Sequence, residues 1–454
     1  MPGLICLDHE DDPSLKEETE PRYHAREVAW MRSRLNSSVL LLASAHPSLE
    51  TLQRMGALET GNQGAQGPRS EKLLVISQPV MPPAIHLVDL RRLPHGTILS
   101  EPMIEGIAAA LKSGERAILY LNRKGFAPAL LCRACGQALR CQRCSVALTF
   151  YKQAGHLSCH YCNAVFPLPD TCPSCFAARI EPIGVGTEGV EEIVLRLFPN
   201  ARVARLDREK ARTPNRAEAI RRLFAAGELD LLIGTQMLFQ GPPLPPVRFV
   251  GLIHADAGLH LPDFQAGERT YHALLDAIAL ARPREAGGSV LLQTYLPAHP
   301  VIAAIVEQDP EIFYHQELLF RRVLAYPPFT HLMSLCVSGK QPERVKEAAE
   351  QWAAQLRTTS KRPIVNEERQ WKPLDQRRDS AEDSEESGAD IIVLGPVPAS
   401  VARIRGRYRW QILVKSASLE AARRTVRRTL DDLEGKHGRS GLKYHVDVDP
   451  VAMI

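Results

Sequence analysis

Eight of the ten cysteines form four C-x2-C pairs, and this feature most restricts how the chain can fold. A C-x2-C turn directs two thiolates at one centre, and two such turns complete a tetrahedral zinc site. Zinc binding also supplies folding energy to a segment that has too little apolar content to fold alone. Four pairs therefore predict two structural zinc ions in a module of residues 132–178. The pairs are Cys132 with Cys135, Cys141 with Cys144, Cys159 with Cys162, and Cys172 with Cys175.

Two other uses of these cysteines stay open from the spacing alone. They could be free structural thiols, or they could hold an iron–sulfur cluster, because C-x2-C spacing also suits clusters. His156 and His160 lie inside the block and could replace a cysteine as ligand. The regular use of all four pairs favours eight cysteine ligands and structural zinc. Cys6 and Cys336 stand outside the block in apolar segments and are interpreted as core residues.

Apolar runs alternate with helical patterns on both sides of the cysteine block. Strands are predicted at 3–7, 39–44, 117–121, 202–206, 229–233 and 248–253, with 39–44 as a buried strand. Helices are predicted at 26–35, 101–114, 190–197 and 215–226, and a loop at 61–68. Strands that alternate with helices indicate parallel βαβ units around an open sheet. The predicted fold class is α/β, interrupted by the cysteine-rich insertion.

Composition narrows the class of protein further. Hydrophobic residues make up 44% of the chain and charged residues 24%, which is typical of a globular protein. The strongest apolar runs are too short to cross a membrane, and the N-terminal residues do not resemble a secretory signal. We therefore expect a cytoplasmic protein without a membrane partner. The net charge of +4 is too small to indicate nucleic acid by itself.

Several motifs beside the cysteine block resemble the PriA family, the bacterial primosomal N′ proteins. The family consists of superfamily 2 DNA helicases that restart stalled replication. The motifs follow the family's order across nearly the whole chain. They are LNRKGFAP at 121–128, GVGTEGV at 184–190, GTQM at 234–237, LHLPDF at 259–264, YPPF at 326–329, RGRYRW at 405–410 and DVDP at 447–450.

This resemblance implies RecA-like helicase lobes, an inserted two-zinc module and a small C-terminal α/β domain. In the family, one zinc joins the first and last cysteine pairs, and the other joins the two middle pairs. The implied divisions are a first-lobe remnant at 1–60, a linker and the start of the second lobe at 61–131, the zinc module at 132–178, the remainder of the second lobe at 179–324, and the C-terminal domain at 325–454 with a disordered insert at 358–390.

The acidic ATPase motif that the resemblance implies is altered. Where the family has D-E-E-H, for magnesium binding and water activation, the chain has Asp8, His9, Glu10 and Asp11. His9 therefore stands in place of the catalytic glutamate. The family's S-A-T-P motif appears as S-A-H-P at 44–47. The phosphate-binding pattern G-x-x-x-x-G-K-[ST] does not occur in the sequence.

The arginine motif is altered as well. The family's Q-V-A-G-R-A-G-R aligns with residues 276–283, where Leu280 and Pro283 stand at the two arginine positions. Arginines that contact the transferred phosphoryl group can contribute orders of magnitude in rate. We therefore predict no intact catalytic site, with Asp8 and Glu10 as remnants and the nucleotide-binding residues unknown. ATP and Mg²⁺, the cofactors of the family, are in doubt for this chain alone.

Arginines near the C-terminus are the strongest DNA-binding candidates. Arg403, Arg405, Arg407 and Arg409 recur with a period of two, so on a single strand they share one face. Such a row suits contact with phosphates, which positions nucleic acid without reading its sequence. The alternative is a charged edge strand that prevents unwanted pairing.

A second candidate lies after the acidic motif. Tyr23 and Arg26 match the family's aromatic and basic loop, which couples DNA to ATP, although Leu15 and Pro21 replace two of its members. We interpret both Tyr23 and Arg26 as DNA-binding residues. The four arginines within 423–428 have helical spacing and are interpreted as a solvated helix face.

Three functions are compatible with these motifs. The first is a replication restart protein of the PriA type that binds forked or single-stranded DNA and assembles the primosome without unwinding. The second is an active ATP-dependent 3′–5′ helicase whose N-terminal half lies outside this sequence or in a separate chain. The third is a decaying gene product that keeps only its zinc module. The resemblance implies nucleoid association and, as partners, primosome proteins, single-strand-binding protein and the replicative helicase loader.

Overall fold

The computed structural model describes residues 3–17, 19–55, 81–122, 130–151, 155–182, 186–211, 213–359, 391–437 and 441–451. The predicted loop at 61–68 and residues 360–390 of the predicted disordered insert lie outside these ranges. Across the described ranges, no helix combines the length and apolar character needed to cross a lipid bilayer.

The N-terminal unit contains a two-stranded parallel sheet and two helices. Its elements are β1 (Leu4–Asp8), α1 (Ala25–Asn36), β2 (Val39–Ala43) and α2 (Leu49–Arg54). The two strands pair in register, with Leu4 opposite Val39 and Asp8 opposite Ala43. The short connection after β2 ends at Ser48, whose hydroxyl accepts a hydrogen bond from the Thr51 backbone and so starts α2.

The prediction of a buried strand at 39–44 is wrong. Val39 is 66% exposed, Leu41 is 53% exposed, and Leu4 on the neighbouring strand is 55% exposed. The physical reason is the size of the sheet, because within the described residues no third strand joins β1 and β2. Parallel strands usually have both faces covered, so this unit leaves apolar surface in contact with solvent.

A six-stranded parallel sheet forms the centre of the chain. Its first elements are β3 (Ala84–Asp89), α3 (Glu101–Lys112) and β4 (Ala117–Leu121). The cysteine module follows with β5 (Leu130–Cys132), β6 (Thr149–Tyr151), β7 (His156–Ser158), β8 (Val165–Pro167) and β9 (Ile180–Pro182). The remaining elements are α4 (Thr187–Leu197), β10 (Val203–Leu206), α5 (Pro214–Ala225), β11 (Leu231–Gly234), β12 (Phe249–Ile253), α6 (Ala266–Ile278), β13 (Ser289–Thr294), α7 (Pro300–Glu307) and α8 (Pro310–Val323).

The strand order is β10-β11-β4-β12-β13-β3, with every neighbouring pair parallel. All residues of β4, β11 and β12 are buried, because helices cover both faces of the sheet. Gly251 allows α3 to approach closely, since a Cβ there would lie 2.3 Å from the Met103 sulfur. The predicted α/β class, with the cysteine module inserted after β4, is confirmed.

The C-terminal domain is a separate antiparallel sheet with two helices on one side. Its elements are β14 (His331–Gly339), α9 (Pro342–Thr359), β15 (Ile391–Ile404), β16 (Arg407–Ser416), α10 (Leu419–His437) and β17 (Lys443–Val448). The strand order is β15-β16-β14-β17. Trp352 is fully buried between the helices and the sheet, where its indole N–H donates to the Thr429 hydroxyl at 3.1 Å.

Tyr326 joins the three C-terminal parts of the molecule. Its ring stacks on Phe264 of the central lobe at 4.8 Å, and its hydroxyl donates to the Cys144 carbonyl of the cysteine module at 3.2 Å. From the C-terminal domain, the Lys415 ammonium lies 3.5 Å from the centre of the same ring. The YPPF motif therefore holds the cysteine module against its two neighbours.

Candidate functional site

The four C-x2-C pairs adopt one shared turn. In each turn, the residue after the second cysteine donates its N–H to the carbonyl of the first cysteine, at 2.7 to 3.0 Å. That residue also has a positive φ in every case, between 55° and 78°. The four residues are Gly136, Ser145, Asn163 and Phe176. This geometry leaves the two thiolates of each turn directed at one point, as a metal site requires.

The turns associate into two groups of four cysteines. Cys132 and Cys135 lie with Cys172 and Cys175, while Cys141 and Cys144 lie with Cys159 and Cys162; within each group the sulfurs are all within 4.8 Å of one another. Sulfur separations of 3.5 Å, 3.6 Å and 3.7 Å join cysteines of different turns. A tetrahedral ion about 2.3 Å from each sulfur places the sulfurs about 3.8 Å apart.

This arrangement fits two four-cysteine zinc sites. The implied pairing of the outer turns with each other and of the inner turns with each other is confirmed. Neither His156 nor His160 belongs to a candidate metal group within the described residues, and each of the two groups there already offers four cysteines. The ring of His156 instead stacks on Tyr151 at 5.5 Å.

Burial distinguishes the two sites. Three cysteines of the inner site are buried, whereas Cys175 of the outer site is exposed. Burial raises the pKa of the Cys132 thiol and raises that of Cys135 to about 12, so a bound cation is needed to hold these sulfurs as thiolates at neutral pH. Zinc would supply that charge and tie together a segment whose strands are only three residues long.

Glu10, one of the two predicted catalytic remnants, has a structural role. Its side chain is 1% exposed and accepts hydrogen bonds from the Ser48 backbone N–H at 2.6 Å, the Thr51 hydroxyl at 2.9 Å and the Arg26 guanidinium at 2.7 Å. These bonds fasten the loop after β1 to α1 and α2. Asp8, the other remnant, is exposed and accepts the His9 N–H at 3.0 Å.

Two histidine–aspartate contacts cross from the N-terminal unit to α6 of the central lobe. Asp11 lies 3.7 Å from the Nδ1 atom of His272, and His46 lies 3.5 Å from a carboxylate oxygen of Asp276. Burial lowers the pKa of His272. Asp11, His46 and Asp276 lie in the segments at which the resemblance aligns the acidic, S-A-T-P and arginine motifs. These segments therefore meet at α6, but they carry side chains that differ from the family's.

Arg282, the arginine beside the altered motif, is already engaged. Its guanidinium binds both oxygens of Glu115 at 2.8 Å and 2.7 Å, and it lowers the pKa of that carboxyl. Arg282 is therefore tied to the segment that leads into β4. Leu280 and Pro283, at the two aligned arginine positions, provide no cation.

Sequence reasoning missed a buried ionic cluster around Arg321. This arginine has a fully buried side chain and contacts Glu268 at 2.6 Å, Glu317 at 3.0 Å and Glu50 at 3.3 Å. Burial alone raises the pKa of Glu268, but the Arg321 guanidinium outweighs it and holds the pKa at about 2. Glu268 also accepts the Leu49 N–H at 2.8 Å, which binds α2 to α6. One sequence signal was available, because Arg321 shares the apolar face of α8.

The arginine row at the C-terminus does not lie on one strand. Arg403 is on β15, Arg405 is in the turn with Gly406, and Arg407 and Arg409 are on β16. The single-strand interpretation is wrong because Arg405 and Gly406 both have positive φ and reverse the chain. The result is a two-stranded hairpin whose tip, residues 401–406, is exposed.

The arginines of this hairpin differ in their exposure and in their contacts within the protein. Arg407 donates to the carbonyls of Ser338 at 3.0 Å and Gly441 at 2.9 Å, so it supports the domain. Arg403 is exposed, with its guanidinium 5.1 Å from the Tyr408 ring centre. Arg405 is exposed at the tip.

The loop that contains Tyr23 packs against the C-terminal domain. Lys16 binds Asp447 at 2.8 Å, and Arg22 lies 3.4 Å from the same carboxylate. The DVDP motif therefore serves as an attachment point for this loop. Tyr23 is 47% exposed, whereas the Arg26 guanidinium is buried against Glu10.

The chain is similar to known proteins both in two of its regions and along its whole length. Residues 322–451 match the primosomal protein N C-terminal domain, and residues 141–167 match the Cys-rich region of PriA DNA helicase. Two relatives named replication restart protein PriA align along the whole chain: that of Treponema pallidum is 34% identical and covered to 63% of its length, and that of Bacillus subtilis is 32% identical and covered to 52%. A third, from Synechocystis, is 34% identical over 92% of this chain and covered to 47%.

The fold and the site define a parallel α/β lobe with a module of two four-cysteine sites inserted after its second strand. The chain spans between 47% and 63% of the length of these three relatives. Along its whole length the chain is similar to replication restart proteins named PriA, and two of its regions match domain models of that family.

Proposed function

We propose that the chain binds forked or single-stranded DNA and assembles primosome proteins at stalled replication forks, without ATP-driven unwinding by its own residues. Similarity to PriA replication restart proteins along the whole chain supports DNA binding and the restart role. The observation that carries the absence of unwinding is Glu10, whose carboxylate is buried and bonded to Ser48, Thr51 and Arg26. A general base or water-positioning group has to reach its substrate, and this carboxylate is fully used within the protein.

The tip of the β15–β16 hairpin is the proposed phosphate-binding element. Arg403 and Arg405 are exposed there, at the end of a two-stranded hairpin in which Arg403 pairs with Tyr408. Tyr23, which is 47% exposed in the loop that packs against the C-terminal domain, is a further candidate contact. Single-strand-binding protein and the replicative helicase loader are the partners that the family suggests for the assembly step.

We expect the double variant Arg403→Gln, Arg405→Gln to bind DNA more weakly and with a shallower dependence on salt. Each lost phosphate contact removes roughly one unit from the slope of log K against log salt, so the double variant should lose roughly two. Fluorescence anisotropy with a labelled fork and a labelled single strand, between low and moderate salt, measures both quantities.

The matched control is Arg424→Gln, which removes an exposed arginine that is bonded to Glu420 on α10. Its affinity and slope should equal those of the unmodified chain. An unchanged slope in the hairpin variant would exclude the hairpin as the phosphate-binding element.

A second candidate function is an ATP-dependent 3′–5′ helicase that acts together with further polypeptide. The exposed apolar face of the N-terminal unit favours it, because parallel sheets are normally covered on both sides. Leu4, Val39 and Leu41 contribute to this surface, and Leu35 at the end of α1 is 77% exposed. In this case the added polypeptide would have to supply the phosphate-binding loop.

A further inference from the structure

Phe176 occupies an unusual backbone position for an aromatic residue. It follows the last cysteine of the fourth C-x2-C turn and has a φ of 60°. The left-handed region is easily reached by glycine and tolerated by asparagine, while a bulky side chain is strained there. The equivalent residues of the other three turns are Gly136, Ser145 and Asn163.

The strain at Phe176 is not offset by packing within the protein. The side chain is 79% exposed, the highest exposure among the large apolar residues of the described chain. Its backbone N–H donates to the Cys172 carbonyl at 2.8 Å, so the turn of the outer cysteine site holds the ring outward. A strained and exposed aromatic residue of this kind points to a contact with another molecule.

The surroundings of Phe176 favour a nucleobase as that contact. Along the chain the ring is flanked by exposed Pro173, Ser174 and Arg179 rather than by a broad apolar patch. A protein interface generally needs a patch of several hundred square ångströms, whereas one base needs a single ring face.

An exposed arginine close to Phe176 in the sequence also favours a nucleic acid as the contact. Arg179 is exposed three residues after Phe176 and has no acidic partner among the described residues, while its carbonyl accepts the Arg133 N–H at 2.9 Å. Two other arginines, in contrast, do have acidic partners. Arg133 contacts Glu181 at 3.4 Å, and Arg92, whose side chain is 84% exposed, contacts Asp89 at 3.4 Å. Arg179 is thus a cation available to a phosphate beside the stacked base.

We propose that Phe176 is a stacking platform for an unpaired base of single-stranded DNA, with Arg179 contacting the adjacent phosphate. This inference rests on the proposed function, because it assumes that the chain binds DNA. It adds the zinc module to the DNA-binding surface and assigns the outer zinc site the role of fixing the ring.

The test compares Phe176→Gly with the unmodified zinc-loaded chain on two labelled oligonucleotides of equal length, oligo-dT and an abasic strand. Glycine suits the positive φ, so the variant should fold with an unchanged or raised melting temperature. We expect its affinity for oligo-dT to fall about tenfold, because stacking on an aromatic ring is lost. Its affinity for the abasic strand should not change, and Phe176→Trp should retain full affinity for oligo-dT.

The matched control is Val165→Ala, which shortens an exposed apolar side chain in the same module. It should leave both affinities unchanged. If the unmodified chain binds neither oligonucleotide and also fails to bind a labelled fork, the proposed function fails; if it binds the fork alone, the stacking proposal is overturned. If it binds both and Phe176→Gly binds them equally well, the stacking proposal alone is overturned and the ring is left as a protein contact. An equal loss on both strands would also overturn stacking.

Discussion

Removing zinc is expected to unfold the cysteine module and to separate it from the rest of the protein. Structural zinc contributes roughly 10–16 kcal/mol of apparent binding free energy in small zinc domains, far more than the module's short strands can replace. A thiol reagent with a chromogenic zinc indicator should release two zinc ions per chain, and residues 130–182 should then become sensitive to protease.

The two zinc sites should differ in their effect on stability. Cys144 is buried and its carbonyl accepts the Tyr326 hydroxyl, so Cys144→Ser should destabilise the module and its junction. Cys175 is exposed, so Cys175→Ser should loosen mainly the outer turn. Cys336→Ser, outside the module, is the control and should keep both metals. Recovery of iron, or of fewer than two zinc ions from the unmodified chain, would contradict this assignment.

Replacing Arg321 by alanine is expected to lower the free energy of unfolding by about 3–5 kcal/mol. The substitution leaves the buried carboxylate of Glu268 and the half-buried carboxylates of Glu317 and Glu50 without their shared cation. Thermal or urea unfolding measures the loss. The control is Arg222→Ala, which removes only an exposed helical ion pair with Glu218 and should change stability by less than about 0.5 kcal/mol.

The same cluster sets a dependence on pH. The pKa of Glu268 is lowered to about 2 in the folded chain, so its ion pair stabilises the fold above the ordinary carboxyl pKa. That contribution should disappear as the pH falls from about 4 towards 2. Adding Glu268→Gln to Arg321→Ala should restore part of the lost stability, because one uncompensated buried charge is removed. No loss of stability in Arg321→Ala would show that the cluster does not bind α2, α6 and α8 together.

The zinc module and the central sheet could be read from the sequence because their signals are local. Each pair of cysteines carries its own turn, and each buried strand, such as Ala117–Leu121, is a continuous apolar run. Which C-x2-C turns share a metal site could not be predicted from the spacing of the cysteines, since it depends on how the chain folds back on itself. It was available only from the family resemblance.

The wrong and the missing predictions also have physical causes. The arginine row looked like one strand because alternation has the same period in a hairpin, and only Gly406 between Arg405 and Arg407 signalled a reversal. The strand at Val39–Ala43 looked buried because its sequence is apolar, but the sheet around it has two strands within the described residues. The burial of Glu10 depends on Ser48, Thr51 and Arg26, which are distant in sequence, so periodicity does not reveal it. For Arg321, the position on the apolar face of α8 was a signal, but its partners Glu268 and Glu50 could not be predicted from it.

DNA-stimulated phosphate release by the zinc-loaded chain is the most direct test of the central claim, that the segment of Asp8 and Glu10 has become structural. We expect release from ATP to stay at the background rate with forked and single-stranded DNA, and to be identical in the variant Asp8→Asn. Phosphate release that rises when DNA is added and is lost in Asp8→Asn would contradict the account.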